Sequence, residues 1–248
     1  MTTDQAAISF GVASDVGRVR RHNEDSARAS GRLFVVADGM GGHAAGEVAS
    51  GIAADSVVEL TERPTLTPDD IVEQLGEANR RILESASRHP EQHGMGTTVA
   101  GLALVSEGGT PQWVVFNIGD SRVYRLIDGG LTQVTVDHSE VWELVERGLI
   151  TEEQAHRHPS RNIITRSLGR EPMGEIDTWV LPPADDEAFL ICSDGLSNEL
   201  SRQEIEAILL EVDDADRAAR ELVRRAVEAG GRDNVTAVVV RVHGAVLP

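Results

Sequence analysis

The sequence predicts an α+β fold built around antiparallel β-sheet. Short apolar segments separated by tight turns follow one another between residues 97 and 135, which is typical of antiparallel strands. Helical segments lie before and after this series and do not alternate with single strands, so a doubly wound parallel sheet is not expected. Residues 235–242 are rich in β-branched side chains and predict one more strand.

The composition is that of an acidic globular protein. The 248 residues are 40% hydrophobic, and 23 Lys and Arg oppose 41 Asp and Glu, giving a net charge of −18. This balance argues against nucleic-acid binding and against docking on an anionic membrane. The chain is long enough for one large domain or two small ones. Because it contains no repeat, low-complexity segment or linker, we expect a single domain over residues 1–248.

A cytoplasmic location is the expectation from the sequence. The first ten residues have neither the basic region nor the apolar region of a signal peptide. No apolar run approaches the length of a membrane span. The single cysteine, Cys192, cannot form an intramolecular disulfide and suits a reducing compartment.

The first elements are two predicted strands and the loop between them. Alternation predicts a half-buried strand over residues 7–13, and the apolar run 33–37 predicts a buried strand that stops at Asp38. The loop over residues 14–25 holds three arginines and three acids. Such a run is usually a solvated loop, but its position brings both signs of charge close to Asp38.

Five glycines follow Asp38 within fourteen residues. A rigid strand that ends in a carboxylate and a loop without Cβ atoms can hold a hard metal ion. The alternative is that Asp-Gly is a common turn dipeptide, as expected for the hairpin at Asp128 and Gly129. Asp38 therefore needs partners before it indicates a metal site.

Two helices are predicted next. The first, residues 47–60, has an apolar face formed by Val48, Ile52 and Val57. The second begins at Thr67, where Pro68 and Asp70 complete a capping-box start, and ends near His89. Its apolar stripe is Ile71, Leu75, Ala78, Ile82 and Ala86.

The central series predicts an antiparallel meander, with strands at residues 97–105, 112–118, 122–126 and 131–135. One of its turns presents Asp120. Two short helices, 140–148 and 151–157, then lead into a polar stretch. We interpret residues 140–169 as a flap packed beside the core.

The C-terminal part repeats the motif found at Asp38. Strands are predicted at residues 176–181 and 188–192, and the second leads into Asp194-Gly195. A capping box at Ser201 opens a helix to about residue 211, and residues 216–229 form another. Asp233 precedes the last strand.

Three acids thus share one setting. Asp38 and Asp194 end apolar strands and Asp233 precedes one, so in an antiparallel sheet they could meet at one edge. An all-oxygen ligand set favours Mg²⁺ or Mn²⁺ over Zn²⁺. Two ions ~4 Å apart would activate a water for in-line displacement at phosphorus. Asp120, Glu24 and Asp25 add carboxylates, and the Arg20 fork could hold two phosphate oxygens.

Six motifs in this order resemble the metal-dependent protein phosphatases of the type 2C class, in their compact bacterial form. The match covers essentially the whole chain. The motifs are Ser14-Asp15-x-Gly17-x-x-Arg20-x-x-Asn23-Glu24-Asp25, Val36-Ala37-Asp38-Gly39-Met40-Gly41-Gly42-His43, Gly96-Thr97-Thr98, Asn117-Ile118-Gly119-Asp120-Ser121-Arg122, Cys192-Ser193-Asp194-Gly195-Leu196 and Gly231-Arg232-Asp233-Asn234-Val235-Thr236.

The resemblance implies a four-layer α/β/β/α sandwich of two antiparallel sheets flanked by helices, with a small flap subdomain. It implies hydrolysis of phosphoserine and phosphothreonine in proteins with two or three Mn²⁺ or Mg²⁺ ions, and a cognate Ser/Thr protein kinase as a functional partner. Two alternatives stay open. One is a dedicated phosphatase of a sigma-factor regulatory protein, and the other is a catalytically silent regulator that binds phosphoproteins.

By position in the motifs, the resemblance also assigns roles. Asp38 would bridge two metals, with the Gly39 carbonyl on one and Asp194 and Asp233 on the other. Asp120 with Asp194 matches a third, weaker site, which Ser160 or Asn162 of the flap would approach. The remaining roles are Arg20 for the substrate phosphate, Glu24 and Asp25 acting through metal-bound waters, and Asn234 beside the ligands.

One position departs from the family pattern. Many eukaryotic members carry a histidine directly after Asp-Gly as a proposed general acid, whereas this chain has Met40 there and His43 three residues later. His43 either protonates the leaving alkoxide or caps the following helix. Cys192 is expected in the core because it lies in an apolar strand. A cysteine phosphatase is not expected, since its Cys-x5-Arg pattern is missing and the sixth residue after Cys192 is Asn198. Isolated histidines such as His138 and His158 show no ligand pattern and are expected to be ordinary polar residues.

Overall fold

A computed structural model describes residues 7–41, 45–107, 109–155 and 157–244. The strands are β1 (Ala7–Asp15), β2 (Asp25–Ser30), β3 (Leu33–Met40), β4 (Gly96–Thr97), β5 (Val99–Glu107), β6 (Thr110–Ile118), β7 (Arg122–Ile127), β8 (Gly130–Gln133), β9 (Asp177–Leu181), β10 (Ala188–Cys192) and β11 (Val235–His243). The helices are α1 (Ala45–Glu59), α2 (Pro68–Arg88), α3 (Glu140–Glu146), α4 (Glu152–Ala155), α5 (Asp194–Ser197), α6 (Arg202–Glu211) and α7 (Ala215–Ala229).

The strands form two antiparallel sheets. One has the order β1-β11-β10-β7-β8, and the other has the order β2-β3-β5-β6-β9, with the short β4 paired to β3. Their facing surfaces share an apolar layer that contains Phe34, Trp113, Phe189 and Val238. This arrangement confirms the α+β class and the pair of antiparallel sheets.

Helices cover the outer face of each sheet. The cluster that joins α1 and α2 to the second sheet contains Val35, Leu75 and Phe116. The cluster that joins α6 and α7 to the first sheet contains Leu190, Ile205 and Leu222. The four layers are therefore helix, sheet, sheet and helix. None of the helices in the described ranges is long and apolar enough to cross a lipid bilayer.

The capping predictions are confirmed. Thr67 caps α2 and Ser201 caps α6, each through a reciprocal capping box with the residue three positions on. Pro68 occupies the first turn of α2, and the predicted stripe of this helix is buried, with Ala86 partly buried. These local signals depend only on residues close in the chain, which explains why the sequence predicts them well.

The predicted apolar residues of α1 pack against the core, but they form only part of its buried face. Val57 is buried, but Val48 and Ile52 are only partly buried. Most of the buried positions of α1 carry small side chains: Ala45, Gly46, Ala49, Ser50, Ala53, Ala54 and Ser56. Small residues let the helix approach the sheet closely, and a search for large apolar side chains overlooks such a face.

The predicted meander is correct for its two hairpins, β5–β6 and β7–β8, but wrong in its middle, where the chain changes sheet. β5 and β6 lie in the second sheet, whereas β7 and β8 lie in the first. The crossing occurs at Gly119, which has φ +114° and where a Cβ would lie 2.6 Å from the Thr98 side chain. Only glycine fits this turn. Asp120 therefore lies where the chain passes from one sheet to the other.

Two strands near Asp38 differ from the prediction: β3 ends later than expected, and β2 is not predicted. β3 does not stop at Asp38 but continues to Met40, since Gly39 and Met40 pair with β4. The sequence does not predict β2, because its polar and small residues show no apolar alternation. This strand pairs with β3 along its whole length.

Candidate active site

Asp38 lies in a strand whose backbone is fixed on both sides. The pairing of β2 with β3 places Asp25 directly opposite Asp38. On the other side, the Thr98 hydroxyl accepts a hydrogen bond from the Asp38 N–H at 3.0 Å. The Asp38 carbonyl accepts from the Thr97 hydroxyl and from the Thr98 N–H, each at 2.9 Å. The strand thus holds Asp38 rigidly beside a second carboxylate.

Asp194 and Asp233 lie at the matching ends of β10 and β11, which are antiparallel neighbours. Gly195 permits their close approach, because a Cβ there would lie 2.0 Å from the Asn234 carbonyl oxygen. Asn198 donates a hydrogen bond to Asp194 at 3.0 Å. These two acids meet at one sheet edge as predicted, but Asp38 belongs to the other sheet, so the site lies between sheet ends and not at one edge.

A hydrogen bond from Ser193 connects the two sheets at this point. The Ser193 hydroxyl donates to Asp25 Oδ2 at 2.8 Å and accepts from the Thr236 N–H at 3.0 Å. Asp120 joins the cluster from the crossing turn, where Ser121 forms a 2.7 Å hydrogen bond with the Thr98 hydroxyl. Asp120 itself is only 7% exposed.

The carboxyl groups of this cluster raise one another's pKa values. Burial is the main cause for Asp38, whose pKa lies well above its usual range, and the charges of Asp25 and Asp194 add to it. Burial and the charge of Asp194 likewise raise the pKa of Asp120. Burial raises the pKa of Asp25 to about 7 and that of Asp194 to about 6. Such a cluster of acids requires bound protons or cations.

The donor set fits a hydrated divalent cation. In the described ranges, no three His, Cys, Asp or Glu side chains form by themselves a group that could hold a metal ion. Mg²⁺ commonly uses only one or two carboxylates and keeps several waters, so a closed cage is not required. Three buried carboxylate oxygens have no hydrogen-bond partner among the described residues: Glu24 Oε1, Asp25 Oδ1 and Asp120 Oδ1.

Comparison with known proteins decides the family. The sequence profile described as "Protein phosphatase 2C" matches residues 18–237. The chain belongs to the protein phosphatase 2C family. It is 37% identical over 238 residues to "Serine/threonine phosphatase stp" of Listeria welshimeri, covering 92% of this chain and 93% of that protein. It is 39% identical over 240 residues to "Serine/threonine protein phosphatase PstP" of Mycobacterium tuberculosis, covering 95% of this chain and 45% of that protein.

Solved structures agree with this family membership. A crystal structure of the M. tuberculosis phosphatase PstP/Ppp has a TM-score of 0.88 at 37% identity, covering 95% of this chain and 99% of that one. The catalytic domain of PstP in complex with two manganese ions has a TM-score of 0.85 at 36% identity, covering 96% of this chain and 100% of that one. The chain is a metal-dependent protein serine/threonine phosphatase that uses Mn²⁺ or Mg²⁺.

The loop over residues 14–25 of this phosphatase 2C chain, which carries Arg20, lies over the acid cluster. Arg20 forms a 2.7 Å ion pair with Asp233, and half of the Arg20 side chain is exposed. Asn234 holds the loop, since its amide accepts from the Glu24 N–H and donates to the carbonyls of Val16 and His22, all at 2.9–3.0 Å. The guanidinium is therefore next to the acids and open to solvent.

Several polar residues that hold the site are not identified individually by the sequence. Thr98, Ser121, Ser193 and Thr236 orient the acids or join the sheets through the contacts described above. Each lies in one of the six motifs beside a residue with an assigned role. The sequence alone, however, does not show which group a given hydroxyl will hydrogen-bond.

The remaining residues singled out from the sequence lie in the core, in an ion pair, in the flap or outside the described residues. Gly42, His43 and Ala44 lie outside the described residues. Cys192 is buried, and burial raises the pKa of its thiol to about 12, which fits an inert core cysteine. Arg122 forms a bidentate ion pair with Asp137, donating from Nε to Oδ1 at 2.9 Å and from Nη2 to Oδ2 at 2.6 Å. The expected approach of Ser160 or Asn162 to a third site stays a prediction. In the described part of the chain, neither of them hydrogen-bonds a site carboxylate.

Proposed function

We propose that Asp38, Asp194 and Asp233, together with the Gly39 carbonyl, hold the pair of Mn²⁺ or Mg²⁺ ions of this phosphatase. The observation that supports this is the convergence of mutually repelling carboxylates from the ends of both sheets. Two such ions, when bound, activate a water for in-line attack on a phosphate ester. By its position in the family motif, Asp38 would be the ligand shared by the two ions.

The surrounding residues complete the proposed site. The exposed fork of Arg20 binds two oxygens of the substrate phosphate and releases Asp233 from its ion pair. Glu24 and Asp25 would act through waters on the cations, and this role is supported by one buried oxygen of each that has no hydrogen-bond partner among the described residues. Asp120 and Asp194 provide a third, weaker cation site. His43, which lies outside the described residues, stays a candidate for the general acid, with capping of the following helix as the alternative.

We also propose that phosphoserine and phosphothreonine proteins made by a cognate Ser/Thr kinase are the substrates. The reaction needs such a kinase, since only phosphoryl transfer to a hydroxyl side chain produces these esters. We treat residues 1–248 as one catalytic domain and residues 140–169 as its flap. The contacts Ser139↔Ile164 and Thr97↔Leu168 at the base of this segment support that division. The cytoplasmic location stays a prediction.

Asp194→Asn is expected to remove metal-dependent phosphatase activity. The change eliminates one negative charge and leaves the size of the side chain unchanged, so the cation loses a carboxylate while the fold is kept. The measurement is phosphate release from a phosphothreonine peptide, and from a protein phosphorylated by a bacterial Ser/Thr kinase, with EDTA, Mg²⁺ or Mn²⁺. We expect a loss of at least about a hundredfold, which corresponds to ~2.7 kcal/mol.

Asp128→Asn is the matched control. Asp128 also precedes a glycine, but it lies in the β7–β8 hairpin with φ 52°, which asparagine tolerates. This variant should keep full activity. Equal Mn²⁺-dependent rates in Asp194→Asn and in the control would contradict the proposed metal site.

Arg20→Lys is expected to raise KM for the phosphopeptide by about tenfold with a smaller effect on kcat. Lysine keeps the positive charge but cannot bind two phosphate oxygens through a planar fork. Steady-state kinetics at saturating Mn²⁺ separate the two constants. The neighbouring exposed Arg21→Lys serves as control, and an unchanged KM in Arg20→Lys would exclude Arg20 from phosphate binding.

A further inference from the structure

His138 is buried and contacts the crossing turn twice. The residue is only 5% exposed. Its ring Nδ1 accepts a hydrogen bond from the Gly119 N–H at 3.1 Å, and its backbone N–H donates to the Gly119 carbonyl at 2.9 Å. One residue therefore holds both polar groups of the glycine that directly precedes Asp120.

These contacts define the tautomer of the imidazole. Because Nδ1 accepts from a backbone N–H, it carries no proton, and the proton lies on Nε2. Nε2 donates to Asp177 Oδ2 at 3.1 Å. Asp177 is in turn held by Arg166, whose guanidinium lies 3.1 Å from Oδ1. The ring thus connects the crossing turn to β9 and to the C-terminal part of the flap.

Asp120 depends on this turn for its orientation. Its Oδ1 is buried and has no hydrogen-bond partner among the described residues. The direction of the carboxylate is therefore set by the backbone at Gly119 and Asp120 and by the surrounding packing. Because glycine is the most flexible residue, the backbone at Gly119, with φ +114°, stays in one conformation only if neighbouring groups hold it.

We propose that His138 is a positioning residue that fixes the Gly119–Asp120 turn so that Asp120 can bind its cation. His138 touches neither the phosphate nor the cation and acts only through the backbone of Gly119. The inference rests on the proposed cation site at Asp120 and Asp194. Residues that orient metal ligands change metal affinity by about 10–100-fold when they are replaced, so we expect a loss of at least about tenfold at this site.

The experiment compares substitutions that keep or remove the acceptor for Gly119. The full chain is titrated with Mn²⁺ by calorimetry, which counts the ions and gives their affinities without any assay of turnover. His138→Asn retains an acceptor at the position of Nδ1, whereas His138→Gln places its polar group at the position of Nε2. Asp120→Asn identifies the ion that belongs to Asp120.

Asn79→Ala is the matched control for the loss of a buried acceptor. The Asn79 side chain accepts from the Gly169 N–H at 2.7 Å, and Gly169 also has a positive φ, of +89°. Gly169 lies at the base of the flap and not next to Asp120. Removal of this acceptor should lower stability in the same way as His138→Gln but leave the affinity of every Mn²⁺ unchanged.

The expected result is that His138→Gln weakens only the ion that Asp120→Asn removes, and that His138→Asn restores most of its affinity. If both His138 variants bind all ions as the unmodified protein does, the positioning role is overturned. It is also overturned if Asn79→Ala produces an equal loss, since the effect is then one of general stability. If Asp120→Asn itself loses no ion, the proposed third site fails, and the inference fails with it.

Discussion

Replacing Asp38 by asparagine is expected to abolish phosphatase activity and to make the metal-free protein more stable. Burial and the charges of Asp25, Asp194, Asp120 and Asp233 all raise the pKa of Asp38, so its negative charge is strongly disfavoured in the metal-free fold. A neutral amide removes this repulsion. The same change removes the proposed bridging ligand, so both cations lose a carboxylate.

The expected loss in kcat/KM is at least about a thousandfold, which corresponds to ~4 kcal/mol of transition-state stabilisation. The melting temperature in EDTA should rise, by about 2–4 °C for each kcal/mol gained. In Mn²⁺ the order should reverse, because the variant can no longer gain stability from the ions. Phosphopeptide kinetics and calorimetric melting with and without Mn²⁺ measure these effects.

Asp128→Asn again provides the control, as a carboxylate of the β7–β8 hairpin with no role in the site. It should change neither the activity nor the gain in stability on adding Mn²⁺. A fall in the stability of metal-free Asp38→Asn would show that this acid contributes favourable contacts that outweigh its repulsion. Retained activity would remove Asp38 from the catalytic site.

Sequence patterns predict most of the local structure, because the signals are local. The caps at Thr67 and Ser201 need only a hydroxyl and an acid three residues apart, and the structure contains both. The close packing of α1 and the change of sheet at Gly119 depend on residues far apart in the chain. A helix face made of alanine and glycine and a turn fitted against Thr98 leave no periodic signal.

For the site, too, the sequence predicts the local features but not the long-range contacts. Acids at strand ends are conspicuous in the sequence, so Asp38, Asp194 and Asp233 can be named as candidates together. Their contacts cannot be named, since Ser193 reaches Asp25 across 168 positions of sequence. The sequence predicts an ordinary polar residue at His138 because this histidine stands alone. Its partners Gly119 and Asp177 come from a turn and a strand that only the fold brings together.

The metal-free protein is expected to lose stability as the pH rises from about 4 to 7. Burial raises the pKa of Asp194 to about 6 and that of Asp25 to about 7 in the folded chain. In the unfolded chain both are near their usual value of about 3.9. At pH values between the unfolded and the folded pKa, the folded state binds more protons than the unfolded state. The free energy of unfolding therefore falls as the pH rises through this range.

The contribution of these groups is thus fully present below about pH 4 and is lost as the pH passes through 6 and 7. Acids with lowered pKa values, such as Glu59 and Asp70, act in the opposite sense but only in more acidic solution. Urea unfolding in EDTA at several pH values measures the slope. The reference is Asp25→Asn, which has one titrating group fewer and should show a shallower slope.

Mn²⁺ should reverse this dependence, because a cation replaces the protons that the cluster needs. Carboxylate ligands bind a metal only after losing their protons, so the stability gained from a fixed Mn²⁺ concentration should grow from about pH 5 to pH 8. Protons and metal ions then compete for one set of oxygens. A gain that is constant across this range would mean that the metal binds elsewhere, and that the raised pKa values of Asp25 and Asp194 do not mark a cation site.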